Sequence, residues 1–186
     1  YRMVGIMADI SQTKTYEKKI ETLSLIQKKI IDKAPIGIYT ANSQGIVTYT
    51  NPTFAKISGD NTKELMGLNV FDLPTYKQAG ITTKIQQVFK GQDFSISDVE
   101  YTSFYSHKKT YRNFYGLPLK NEKGQIESAL VFVEDITHYK EIENELQNKI
   151  DQLEIFNKAT VGRELKMIKL KEKISELEEE IESLKK

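Results

Sequence analysis

Along residues 138–186 the hydrophobic positions keep one heptad frame without a single proline, and Gly162 is the only glycine. One set of positions reads Tyr139, Leu146, Leu153, Thr160, Met167, Ile174, Ile181. The second reads Ile142, Lys149, Phe156, Arg163, Leu170, Leu177, Leu184. Eleven of these fourteen are apolar, so the seam predicts a long coiled-coil helix. Its three polar exceptions, Lys149, Thr160 and Arg163, fall in the middle third. Fully helical, the segment would reach roughly 75 Å at 1.5 Å per residue, too far for one small domain to cover. In the last turns Ile at the first position and Leu at the second favour a two-stranded parallel coil. There Lys173 would face Glu178 of the second copy, and Glu180 would face Lys185. The competing arrangement is a helix bent at Gly162 and folded back on its own domain.

The rest of the chain changes period repeatedly. "RMVGIMADI" (2–10) reads as a short strand. From Gln12 to Ile31 apolar residues recur every three or four positions (Tyr16, Ile20, Leu23, Ile26, Ile30), predicting a helix that Pro35 and Gly37 end. "GIYTA" and "GIVTYT" are β-rich runs separated by Asn42-Ser43-Gln44-Gly45, a hairpin signal. Asn51 is placed to cap a helix with Pro52 in its first turn. Residues 75–90 read as one longer helix, with Ile81, Ile85, Val88 and Phe89 on one side and Gly91 at its end. Three further strand-like runs follow. The first slips phase near Asp98, which predicts a bulge. The other two, residues 110–119 and 126–135, are joined by Asn121-Glu122-Lys123-Gly124. The plan is α+β on an antiparallel sheet.

Composition narrows the chemistry. The 186-residue chain has no cysteine, which excludes disulfides, thiolate nucleophiles and thiolate metal sites and suits a cytoplasmic location. A net charge of +1 gives no reason to expect nucleic acid as a partner. No run approaches the roughly 18 apolar residues of a membrane span, so no membrane contact is expected. Two separated histidines, His107 and His138, supply no metal cluster, and no carboxylate pair suggests acid–base catalysis. Residue 1 is Tyr, so the chain reads as a piece of a longer, multi-domain protein.

Several local signatures together resemble a PAS domain over residues 31–137. "NPTFAKISG" followed by "TKELMG" resembles the family's Asn-x-x-Phe-x-x-x-x-Gly and Glu-Leu-x-Gly pattern, and "YGLPLKNEKGQIESALVFVEDIT" resembles its final hairpin closing on Asp-Ile-Thr. The resemblance implies a five-stranded antiparallel sheet with short helices on one face, between an N-terminal linker helix and the long C-terminal helix. Where the family usually places an aromatic residue after the Gly of the first helix, this chain has Asp60, which implies looser packing of residues 60–73. "ADIS" at 8–11 matches "EDIT" at 134–137, so residues 1–11 read as the last strand of an upstream PAS domain. Residues 12–31 are then a linker helix, 32–137 the PAS domain and 138–186 the coil.

The resemblance also implies a function: a sensor and signal-relay module without catalytic activity, in a two-component sensor histidine kinase or a relative. It would act as a homodimer with adjacent domains of its parent protein. The expected dimer seam comprises Leu146, Leu153, Phe156, Met167, Leu170, Ile174, Leu177, Ile181 and Leu184. Asp135, Ile136 and Thr137 form the expected signal junction, with Thr137 as N-cap of the long helix. His138 lacks the His-Glu-x-x-x-x-Pro-like setting of a kinase phosphoacceptor. No cofactor is expected: the light-sensing branch bonds flavin through a cysteine, absent here, and the longer helix lacks the His of haem-binding members. A small organic ligand is the alternative to a filled apolar core. Its expected walls are Ile38, Phe54, Ile57, Ile85, Phe89, Ile96, Tyr115 and Leu130, with Tyr115 and Thr40 as polar contacts. The competing function is a structural dimerisation spacer with no ligand.

Overall fold

The computed structural model describes residues 2–184; the side chains of residues 1–11 and of Leu184, a residue of the expected seam, lie outside the described set. The chain divides into two units, residues 1–137 and 138–186. The first unit opens with α1 (Arg2–Lys33). Residues 2–10 are therefore helical, not the strand that their composition suggests. A lone strand has no neighbour for its N–H and C=O groups, whereas a helix satisfies them internally.

Five strands then form one antiparallel sheet: β1 (Gly37–Asn42), β2 (Val47–Thr50), β3 (Phe94–Thr102), β4 (Lys109–Lys120) and β5 (Ile126–Asp135), in the order β2-β1-β5-β4-β3. The short helices α2 (Pro52–Ser58), α3 (Thr62–Leu65), α4 (Pro74–Gln78) and α5 (Ile81–Val88) lie between β2 and β3 in the chain. Both predicted hairpin turns use the same device. Asn42 and Asn121 each accept two backbone amides through Oδ1, and Gly45 and Gly124 close the turns at φ +82° and +75°. The predicted bulge is present, with register shifting between Ile96 and Val99 and Asp98 at φ +59°.

The single helix expected over 75–90 is two. Gly80 adopts φ +72° after the last turn of α4, so the chain turns before α5 begins. Ile81, Ile85 and Val88 are nonetheless fully buried against the sheet. Residues 60–73 are not loose: Leu65, Val70 and Leu73 are buried, and Asn61 and Glu64 form a reciprocal capping box. Asp60 Oδ1 accepts the Ser106 amide at 2.9 Å, so the carboxylate ties this region to the β3–β4 turn.

Strand alternation fixes which residues reach the core. Tyr39 and Ala41 of β1, Phe114 and Gly116 of β4, and Ala129, Val131 and Val133 of β5 point inward, with Phe94 of β3. Phe94 pairs with Gly116, and a Cβ on Gly116 would stand 2.1 Å from Phe94 Cε1. Gly116→Ala therefore forces a buried ring to move. It is expected to destabilise the domain by about 1–3 kcal/mol, measured as a lower urea midpoint at unchanged slope.

Candidate functional site

The inner face of the sheet carries an unusual polar cluster. Arg112 of β4 is 0% exposed, as is Tyr39 of β1. Parity places Arg112 inward, in line with Thr110, Phe114 and Gly116. Its Nε donates to Thr110 Oγ1 at 2.7 Å, and Nη2 donates to Ser103 Oγ at 2.9 Å and to the Ile57 carbonyl at 3.2 Å. The guanidinium lies 4.3 Å from the centroid of the Tyr101 ring, a cation–π contact. Among the described residues its Nη1 has no partner, while the Tyr39 hydroxyl faces that of Tyr76. Such a buried, unpaired nitrogen is rare in native structures.

Aromatic rings pack around this cluster. Tyr76, Tyr101 and Phe114 meet edge to face at 5.5–6.1 Å, and Tyr39 packs on Phe54 at 4.9 Å. Burial pushes the phenols of Tyr39, Tyr76 and Tyr101 up, so all three stay protonated at neutral pH. Desolvation pulls Arg112 down from its ordinary value, partly opposed by Tyr76, Tyr101, Asp135 and Asp60. Between the rings and the short helices lies a cavity of about 20 Å³, lined by Tyr39, Tyr76, Tyr101, Asp60 and Phe104 together with apolar side chains. That is room for roughly one water molecule.

Of the residues expected to wall a ligand cavity, only Phe54 does so. Ile85, Phe89 and Ile96 belong to or pack against the same core. Ile57 is buried elsewhere, beside Pro35, Thr53 and Lys108. Ile38, Thr40, Tyr115 and Leu130 are on the opposite face of the sheet. There Ile38 pairs with Phe132 and Thr40 with Leu130, Tyr115 stacks on Phe132 at 6.2 Å, and Thr40 Oγ1 bonds Thr48 Oγ1. An assignment one residue out of phase moves a whole strand's side chains to the other face. Sequence reasoning passed over Tyr39, Tyr76, Tyr101 and Arg112. The available signal was the alternation Thr110-Arg112-Phe114-Gly116, which sets an arginine on the apolar side of a strand.

The junction at the end of β5 is fastened to β4. Ile136 N donates to the Tyr111 carbonyl, and Thr137 Oγ1 accepts the Tyr111 amide, both at 2.9 Å. Asp135 Oδ1 accepts the Thr137 amide at 3.0 Å as well as the Thr137 hydroxyl. Thr137 therefore lies within the helix it was expected to cap, its hydroxyl turned to Asp135 and the Tyr111 amide. Asp135 holds the first helical amide, and Thr137 is the first residue of α6 (Thr137–Leu184).

At its other end, the first unit grips α1 through Asn51. Asn51 Nδ2 donates to the carbonyls of Ile31 and Ile36, both at 3.0 Å, while its Oδ1 accepts the amides of Ile38 and Phe54, both at 2.9 Å. Thr53 Oγ1 adds a bond to the Ala34 carbonyl at 2.7 Å.

α6 runs 48 residues and is unbroken at Gly162, so the bend that would fold it back is not there. Leu146, Leu153, Phe156, Met167, Leu170, Ile174, Leu177 and Ile181 are 46–66% exposed. It carries intrahelical ion pairs, among them Lys149–Glu145 at 3.1 Å and Lys173–Glu176 at 2.9 Å. Among the described residues no helix is long and apolar enough to cross a membrane.

A family profile described as the PAS fold matches residues 31–141. The PAS domain of an HTR-like protein from Haloarcula marismortui superposes with a TM-score of 0.55 at 17% identity, over 66% of this chain and 99% of that one. A PAS domain from Colwellia psychrerythraea gives 0.54 at 18% identity, over 62% and 98%. An RNA-binding light-oxygen-voltage receptor gives 0.54 at 18% identity, over 71% of this chain but 38% of its own. The comparison with curated proteins gives no match.

Proposed function

This chain belongs to the PAS-fold family, and on that footing we propose that it is a sensor and relay module of a larger signalling protein, a sensor histidine kinase or a relative, in the cytoplasm. In this reading two copies join through α6 as a parallel coiled coil. A change in the first unit reaches the coil through Asp135, Ile136 and Thr137. The observation that carries it is the exposed seam of α6: eight large apolar side chains at heptad spacing, each about half exposed or more. A stripe of that kind marks an interaction surface, and its Ile/Leu placement in the last turns selects two parallel strands.

A spacer that sets distance without sensing is favoured by one observation, the small cavity. Dimerisation is common to both readings and ligand binding separates them. Sedimentation equilibrium of the full chain is expected to show a concentration-dependent dimer. Labels placed after Leu184 on the two copies should lie close together, as parallel strands require. A monomer at every concentration, or labels at opposite ends, overturns the relay.

A further inference from the structure

α1 carries an apolar stripe of its own. Tyr16, Ile20, Leu23, Ile26 and Ile30 are 48–67% exposed. One heptad frame sorts them, with Ile20 and Gln27 at the first core position and Tyr16, Leu23 and Ile30 at the second. Ile26 and Ile31 flank that core, while Lys14, Lys18, Lys28 and Lys29 fall on the outer positions. Leu25, 55% exposed, is the one exposed large apolar residue described in α1 that the frame leaves outside. Such a stripe marks an interaction surface, and two features name its occupant. Laid parallel and in register with a second copy, it sets no like charges against each other: Lys19 meets Ser24 of the second copy, and Ile26 meets Ile31, which widens the apolar core beside Ile30. Gln27 then meets Gln27 of the second copy, and each amide can both donate and accept. In antiparallel helices first positions face second positions, so Gln27 would be set against Tyr16, Leu23 or Ile30, all apolar. A single polar residue in a coiled-coil core selects direction and register in this way.

We infer that α1 pairs with α1 of a second copy as a parallel coiled coil in the register set by Gln27, and that this pairing forms only in a dimer already joined through α6. The inference rests on the α6 dimer of the proposed function and gives it a second seam. The condition follows from size. Of the five core layers from Tyr16 to Ile30 one is polar, so α1 offers four apolar layers against the eight exposed along α6. Once α6 holds two copies together, the second contact is intramolecular, at an effective concentration on the order of mM. Coupling of this kind is reciprocal: what α1 pairing gains tightens the dimer, and α6 packing senses whether the α1 helices are paired. The end of α1 is also fastened to the sheet. Tyr49 Oη of β2 donates to Asp32 Oδ1 at 3.4 Å, and Asn51 joins the Ile31 carbonyl to the Ile38 amide of β1. A change in α1 pairing therefore reaches β1 and β2 directly.

The chain has no cysteine, so single cysteines report pairing without background. In the full chain, Tyr16→Cys and Ile30→Cys are expected to give disulfide-linked dimers under mild oxidation. Like seam positions of parallel, in-register helices fall within the Cα separation of about 4.4–6.8 Å that a disulfide spans. Lys18→Cys, on the outer face, should not link, and antiparallel helices would carry both ends of the stripe apart and link neither seam variant. Adding Leu170→Glu and Ile174→Glu to Ile30→Cys breaks the α6 seam and should abolish the link. Leu23→Glu and Leu25→Glu test the reciprocal effect. These leucines are 51% and 55% exposed, so both variants should keep the helix content of the parent. Only Leu23 lies in the frame. Leu23→Glu is expected to weaken the dimer at least about tenfold in sedimentation equilibrium, while Leu25→Glu leaves Kd unchanged. Linking of Lys18→Cys as strong as that of the seam variants, no linking at Tyr16→Cys and Ile30→Cys, or equal Kd in the two glutamate variants overturns the α1 seam. A link that survives the α6 changes overturns its dependence on α6. If the chain remains a dimer while α1 fails these tests, the α6 coil stands without a second seam; a monomer at every concentration removes both.

Discussion

Asn51→Ala is expected to lower the stability of the first unit by about 3–5 kcal/mol, the largest single effect in the domain. The side chain is fully buried and uses both ends of its amide. Its oxygen caps α2 at the Phe54 amide and also accepts the Ile38 amide at the start of β1, while its nitrogen donates to the carbonyl of Ile36 and to that of Ile31, which also accepts the Ala34 amide. Losing a cap costs about 1 kcal/mol. Each further buried group left without a partner costs about 1–3 kcal/mol, which makes the sum a large part of a small domain's stability.

Asn51→Asp separates the two ends of the amide. A carboxylate keeps both accepted bonds but faces two carbonyls where donors stood. Burial and those carbonyls raise the folded-state pKa of the new group above its unfolded value of about 3.9. The protonated form is then the better tolerated one: it can donate to one of the carbonyls. Its deficit relative to the parent should therefore be smallest in acid and grow as pH rises from about 4. Urea titrations from pH 4 to 7, with hydrogen exchange at the end of α1, check this. A deficit that does not change with pH would mean the carbonyls of Ile31 and Ile36 do not depend on Asn51.

What the sequence makes legible follows from how local each cause is. The two Asn-x-x-Gly turns, the Asn51 cap and the bulge at Asp98 are set by a few adjacent residues, and each is present as read. The break at Gly80 has an equally local cause, but the apolar spacing of Ile81, Ile85 and Val88 runs so close to it that one helix explains the pattern as well as two. The strand read at residues 2–10 fails for the opposite reason, since strand formation depends on neighbours that a sequence window does not contain. Strand faces are hardest. β1 carries Ile38 and Tyr39 side by side, both apolar and both buried, so hydrophobicity alone cannot say which faces the helices. Pairing settles it: Tyr39 opposes Val131, and Ile38 opposes Phe132. The polar cluster escaped notice because it depends on that parity in three strands at once.

The second large effect is expected in α6. Thr160 and Arg163 occupy successive seam positions, next to Gly162 and not far from Lys149. Thr160 already spends its hydroxyl on the Phe156 carbonyl at 3.0 Å, a bond that competes with the helix's own ladder. Replacing both with Ile and Leu makes the frame apolar from Leu153 to Leu184. Fully burying one such side chain is worth about 1.5–3 kcal/mol, and a dimer gains four. Even a third of that total lowers the dimer Kd by about 30-fold or more, read by sedimentation equilibrium. The same change bears on signalling. If the weak middle third lets the coil hold two packings of similar energy, a continuous seam favours one of them, and the double variant fixes the output in one state. The single variant Gly162→Ala is the control. It meets no neighbour within 4 Å and stiffens the helix by about 1 kcal/mol without adding to the seam. Dimer affinity rising in the double variant but not in Gly162→Ala places the effect in side-chain packing between two copies. Equal rises in both would place it in the helix of a single chain, and the exposed stripe would then have some other cover.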